Sequence, residues 1–249
     1  MIALASDAFA WSRENVHLWT IDLLLPEPTA AELAELLSPD EVAVAQRLHF
    51  ERDRRRYSST RGALRTLLAG YLNTTPQAIE FSYGPVGKPE LTGATDLHFN
   101  VSHSRELAVI AVARSRVGVD VEPLEAKPSL PRLVERLFAL ADAERWRSLP
   151  PEEQTAAFYR SWTWKEAYLK ATGRGFASSL DGFTLQLVGD GPLEAPAAWC
   201  GPDETKPWSF AHFVPAEGFV AALALESGAL HLSRRLWRGD GSRCVIGVA

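Results

Sequence analysis

In the stretch Gly118-Val119-Asp120-Val121-Glu122, two carboxylates are separated by a single apolar residue. In extended chain the side chains alternate, so Asp120 and Glu122 share one face, about 6.5 to 7 Å apart at the backbone, while Val119 and Val121 take the other. Like charges held that way repel. A solvated edge strand accounts for these five residues, and so does a divalent-cation site. A hard cation such as Mg2+ takes oxygen ligands and needs only one or two carboxylates when substrate phosphates supply the rest.

Three other segments bear on the choice. In FYRSWTWKEAYLKATGRGF, residues 158–176, Glu166 and Lys170 are four apart and so lie on one helical face. As an exposed pair they would contribute a few tenths of a kcal/mol. Trp162, Tyr159, Ala167 and Leu169 make this helix apolar enough to be buried, Lys165 adds a third charge, and Gly173 supplies a left-handed C-cap. In FNVSHSRE, residues 99–106, Ser102, His103, Ser104 and Arg105 crowd a strand end, as a phosphate cradle or as an ordinary turn. In ERDRRRYSSTRGALR, residues 51–65, a pitch of about 100° per residue puts Tyr57, Leu64 and Leu68 on one stripe and Arg61 about 40° from Tyr57. Arg61 therefore needs an anionic partner, either a carboxylate or a bound phosphate. Of Arg52, Arg54, Arg55 and Arg56, at least two fit a merely solvated face.

The surrounding elements must position these groups. The 249 residues, 46% hydrophobic and 23% charged, describe an ordinary globular chain with room for one large domain or two smaller units. The N-terminus lacks a secretory pattern and the longest apolar run, around 219–225, is too short for a bilayer, so a cytoplasmic protein without a membrane partner is expected. Cys200 and Cys244 have no metal-ligand spacing. A strand is expected over 16–23, helices capped at Thr29 and Ser38 by the spacing to Glu32 and Glu41, and a long helix over about 53–72. Turns over 84–89 lead to three strands, 97–102, 107–114 and 117–122, expected to form an antiparallel meander. Helix follows to about 172, broken near Pro150 and Pro151, and strands return at FTLQLV, WSFAHFV and FVAALALE. The class is α+β in two units joined near 115–125, which places the paired acids at the junction, where ligand clefts are common.

In order, GKP (87–89), FNVSHS (99–104), GVDVE (118–122) and the 158–176 helix resemble the 4'-phosphopantetheinyl transferases of the surfactin-synthetase-activating type, over roughly residues 40–190. GVDVE followed some forty residues later by WxxKEAxxK carries most of the specificity. The resemblance implies a pseudo-dimer of two similar α+β halves, 1–116 and 117–249, each an antiparallel sheet packed on helices. It implies a monomer that binds coenzyme A and Mg2+, with Mn2+ as a substitute, between the halves. The phosphopantetheine arm would pass from coenzyme A to a serine of an acyl- or peptidyl-carrier protein, leaving adenosine 3',5'-bisphosphate. Carriers of fatty acid, polyketide, nonribosomal peptide and lysine biosynthesis all fall within the family's range.

Residue by residue, Asp120, Glu122 and Glu166 match the family's metal-binding acids and Lys170 its pyrophosphate-contacting lysine. Ser102, His103, Gly87 and Lys88 match phosphate and adenosine contacts, and Arg52 a basic position before the long helix. Arg61 joins them on helix geometry. Glu166, or a metal-bound water beside it, is the candidate base for the serine hydroxyl, with Glu166 and Lys170 as the catalytic pair. Trp164 and Phe176 depart from the commonest pattern. A nucleic-acid module built on residues 51–65 would bind with strong salt dependence and leaves GVDVE and WTWKEAYLK unexplained. A catalytically silent coenzyme A-binding scaffold for carrier proteins is the other alternative.

Overall fold

The computed structural model describes residues 15–93, 95–173, 197–199, 206–226, 230–237 and 246–248. Phe176, Cys200, Cys244 and the strand expected at FTLQLV lie outside them.

Strand β1 (Asn15–Asp22) follows its run of β-formers. Helix α1 (Glu27–Ala34) starts after Pro26, earlier than the Thr29 cap expected, because Pro28 fits a first turn whose N–H groups need no helical acceptor. Helix α2 (Pro39–Arg47) does begin at Ser38, whose N–H donates to Glu41 at 3.0 Å. Helix α3 (Glu51–Leu72) ends on left-handed Asn73. After a 3-10 turn (Pro76–Ala78), β2 (Phe81–Tyr83) and β3 (Pro89–Leu91) form a small ribbon. Next come β4 (His98–Ser104), β5 (Leu107–Ala113) and β6 (Val117–Pro123). Helices α4 (Leu130–Leu137), α5 (Leu140–Ser148) and α6 (Pro151–Thr172) follow, the last stopped by Gly173 at φ 68°. Strands β7 (Ala197–Trp199), β8 (Trp208–Phe213), β9 (Phe219–Leu225), β10 (His231–Trp237) and β11 (Ile246–Val248) complete the described chain.

The fold is α+β with two main sheets, ordered β11-β10-β1-β5-β4 and β6-β9-β8-β7. Two features differ from the sequence expectation. β4 and β5 form a hairpin, but β6 does not continue a meander: it opens the second sheet and pairs with β9. The basic tail, read as no element, supplies β10, which lies parallel to β1 in the first sheet. Its arginine is accommodated by a buried network. Arg235 donates to His17 Nε2 at 3.0 Å, which leaves the proton on Nδ1 to be given to the Tyr71 hydroxyl at 2.6 Å. Burial, reinforced by Arg235, lowers the His17 pKa to about 3, so the imidazole is neutral.

The layers run helix, sheet, sheet, helix. α1 and α3 cover the outer face of the first sheet around Trp19, Leu64, Leu67 and Ile110. Val109 and Ala111 meet Val119, Val121 and Leu223 between the sheets. α6 covers the outer face of the second sheet through Ala167, Tyr168 and Ala171. Trp164, the departure from the family pattern, belongs to this layer, stacked on His212 with ring centroids 4.9 Å apart. No helix among the described residues is long and apolar enough to cross a membrane.

The carboxylate alternative holds for Arg61. It donates to fully buried Glu41 at 2.6 Å, Arg65 does the same at 2.6 Å, and both guanidiniums lie over the Phe81 ring. Glu41→Ala would leave two buried cations without their counter-charge. It should therefore cost about 3 to 5 kcal/mol, read as a fall in the denaturant midpoint at unchanged slope. A midpoint within experimental error of wild type would contradict the assignment.

Candidate active site

The acids of β6 lie on the face turned toward α6. The two elements match in pitch, since four helical residues rise about 6.0 Å and two strand residues about 6.6 Å. Trp162, Glu166 and Lys170 thus form a row along α6 facing the row Glu122, Asp120 on β6. Lys170 Nζ donates to Asp120 Oδ1 at 2.6 Å, and the Trp162 indole N–H donates to Glu122. Gly118 continues the row. A Cβ there would overlap the Ala167 carbonyl oxygen and stand 2.5 Å from Ala171 N, so only glycine allows the helix to sit this close.

β4 borders the same seam. Ser102 donates to Asp120 at 3.0 Å and accepts from Lys170 at 2.9 Å, and Ser104 donates to Glu122 at 3.4 Å. His103 is exposed at the end of β4. Loss of hydration, with the positive charges of Lys170 and Arg56, holds its pKa below the ordinary histidine value. An imidazole N–H near Lys170 suits an anionic ligand.

The acids respond to one another. Burial, then Asp120, raises the Glu122 pKa. Burial, then Asp120, with Glu122 a smaller contributor, raises Glu166 to about 7, against the pull of Lys170. Asp120 Oδ2 and Glu166 Oε1 are buried without a hydrogen-bond partner. Two orphaned carboxylate oxygens in a seam of three acids make an oxygen donor set that fits a hard cation. Among the described residues no three His, Cys, Asp or Glu groups converge into a ready-made cage, and Lys170 holds one oxygen of Asp120. That arrangement suits a cation that draws part of its ligands from a substrate.

A carboxyl raised in the fold keeps its proton longer than it does in the unfolded chain. The stability Glu166 contributes is therefore fully present below its ordinary value of 4.5 and lost as pH rises through about 7. In chelator, the melting temperature should fall between pH 5 and 7.5, and Glu166→Gln should flatten that fall. Parallel pH curves for the two proteins would contradict the shift.

The remaining sequence candidates are spread around the seam. Gly87, at φ 81°, turns the β2–β3 ribbon. Lys88 Nζ donates to Ala171 O at 3.0 Å, so it caps the end of α6, and burial lowers its pKa. Beside it a cavity of about 250 Å³ opens between Lys88, Glu90, His98, Arg116 and Gly173. Arg52 is exposed, with Asp53 3.6 Å away. Of its neighbours, Arg54 donates to the Leu48 carbonyl at 2.8 Å, Arg55 pairs with Glu27, and Arg56 pairs with Glu106 on the β4–β5 turn. These three pin chain segments. Lys165 faces away from the seam, buried against Asp142 and over the Phe138 ring. Trp162 and Asn100 were not singled out as functional. Their signals were periodicity, Trp162 four before Glu166 and Asn100 two before Ser102.

Comparison with known families places the chain. The 4'-phosphopantetheinyl transferase superfamily matches residues 116–224, and the family described as 4'-phosphopantetheinyl transferase, N-terminal, matches residues 26–115. The 4'-phosphopantetheinyl transferase HetI of Nostoc sp. is 41% identical over 217 residues, covering 85% of this chain and 88% of that protein. The 4'-phosphopantetheinyl transferase psf-1 of Bacillus pumilus is 34% identical over 64% and 68% of the two chains. The 4'-phosphopantetheinyl transferase Sfp of Bacillus subtilis is 27% identical over 70% and 76%. This chain belongs to the 4'-phosphopantetheinyl transferase family.

Proposed function

We propose that this protein moves the phosphopantetheine arm of coenzyme A to a serine of an acyl- or peptidyl-carrier protein, giving the holo carrier and adenosine 3',5'-bisphosphate. The observation that carries the reading is the convergence of Asp120 and Glu122 from β6 with Glu166 and Lys170 from α6, two carboxylate oxygens being left without partners. Family membership supplies the reaction class.

Coenzyme A enters as a substrate whose pyrophosphate is negatively charged. Lys170 and His103 face that charge, and Gly87, Lys88 and Arg52 border the approach. The serine oxygen attacks the β-phosphorus, and the phosphoanhydride bond to the adenosine bisphosphate breaks. Lys170 stabilises the charge that develops on the leaving phosphate. Glu166, or a metal-bound water beside it, is the candidate base for the serine proton. Asp120, Glu122 and Glu166 would hold Mg2+ or Mn2+, which supplies charge neutralisation at the phosphates when bound. The protein acts as a monomer, its halves meeting near residue 116, on carrier proteins rather than nucleic acid, in the cytoplasm.

The test is release of adenosine 3',5'-bisphosphate from coenzyme A in the presence of an apo carrier. Release should depend on the carrier's serine and stop with chelator. Carrier-independent release would contradict the transferase reading, and release undiminished by chelator would remove the metal.

A further inference from the structure

β4 and β6 are edge strands of different sheets that lie side by side without a backbone ladder between them. A strand sends alternate N–H groups to opposite edges, so with β9 on one side of β6 the amides of Val119 and Val121 must find acceptors on the other. They find side chains. Val119 N–H donates to Asn100 Oδ1 at 2.9 Å and Val121 N–H to Ser102 Oγ at 3.3 Å. Asn100 and Ser102 are buried and stand opposite Ala111 and Val109, at the margin of the apolar layer between the sheets. Polar groups there would be costly without these partners.

The Ser102 hydroxyl is fully used. It has one proton to give and two sites to accept at, and it gives to Asp120 while accepting from Lys170 and Val121. We infer that Asn100 and Ser102 are positioning residues: they stand in for a missing strand, fix β6 sideways, and lock Asp120 against Lys170 before substrate arrives. This deepens the transferase reading and rests on it for the roles of Asp120 and Lys170.

Two measurements on wild type, Asn100→Ala, Ser102→Ala and Ser102→Thr test it. In amide hydrogen exchange, Val119 and Val121 should be protected in wild type. Val119 should exchange at least about fivefold faster in Asn100→Ala, and Val121 likewise in Ser102→Ala, with residues 118, 120 and 122 little changed. In steady-state transfer, Ser102→Ala should lower kcat by about 10- to 100-fold with KM for coenzyme A within about threefold, and Ser102→Thr should restore most of the rate. Unprotected Val119 and Val121 amides in wild type would overturn the inference, even if a variant failed to fold. So would a raised KM at constant kcat, which would make Ser102 a substrate contact, or a Thr variant no better than Ala. A wild type that charges no carrier would sink the transferase reading alone, since the exchange data would still decide whether β4 side chains hold β6.

Discussion

Asp120→Asn is expected to lower kcat/KM for phosphopantetheine transfer by about a thousandfold or more while the protein stays folded. The two side chains are nearly the same shape, so packing beside α6 is preserved. The lost negative charge matters in two ways. Lys170, 2.6 Å from Asp120 Oδ1, loses the partner that holds its ammonium in the seam. The partnerless Oδ2, the oxygen best placed to meet a cation, becomes an amide or a neutral carbonyl. Stability should move little, because loss of the Lys170 pair is offset by relief of repulsion. Asp120 is among the causes that raise both Glu122 and Glu166, and its removal should let the Glu166 pKa drop from about 7 toward the ordinary carboxylate range. Steady-state kinetics with a melting curve checks both parts. Activity within tenfold of wild type would remove Asp120 from the chemistry.

Among the described glycines, Gly118→Ala should produce the largest structural effect. The added Cβ meets main chain, the Ala167 carbonyl and Ala171 N, and hydrogen-bonded helical main chain cannot step aside as a flexible side chain can. Either α6 lifts from β6 or the strand shifts. We expect a loss of about 3 kcal/mol in denaturant unfolding, and in the surviving folded fraction a fall in kcat of more than about a hundredfold, since Lys170 and Glu166 ride on the displaced helix. Wild-type stability together with wild-type turnover would show that the close approach of α6 to β6 is not what assembles the site. A parallel case lies far from the chemistry: a Cβ on Gly62 would collide with Leu33 of α1 and should cost stability without lowering turnover per folded molecule.

These expectations show which parts of the site were legible in the sequence. Alternation put Asp120 and Glu122 on one face, and a spacing of four put Glu166 and Lys170 on one face, because those periods are local properties of strand and helix. That the faces meet is not local, and there the family resemblance carried the inference. Helix geometry likewise showed that Arg61 needed an anion but not which one. Glu41, twenty positions earlier, was read only as a cap residue for α2. The meander over residues 97–122 failed at its last step. The strand β6 was correctly recognised, but its partners were not, since the acceptors for its free edge are the side chains of Asn100 and Ser102 rather than a backbone. β10 was missed because HLSRRLW lacks clean alternation. Its place depends on β1 and on the His17 and Tyr71 network that receives Arg235. Trp162 looked like core, and it does stack on Phe158, but its indole N–H is also spent on Glu122.

The most direct test of the account is the intact mass of an apo carrier protein after incubation with this protein, coenzyme A and Mg2+, across a panel of carriers. The account predicts that at least one carrier gains the mass of a single phosphopantetheine, that a carrier lacking its acceptor serine gains nothing, and that the Asp120→Asn protein leaves the same carrier unmodified over the same time. Unchanged carrier masses across the panel, under conditions where the wild-type protein binds coenzyme A, would contradict it.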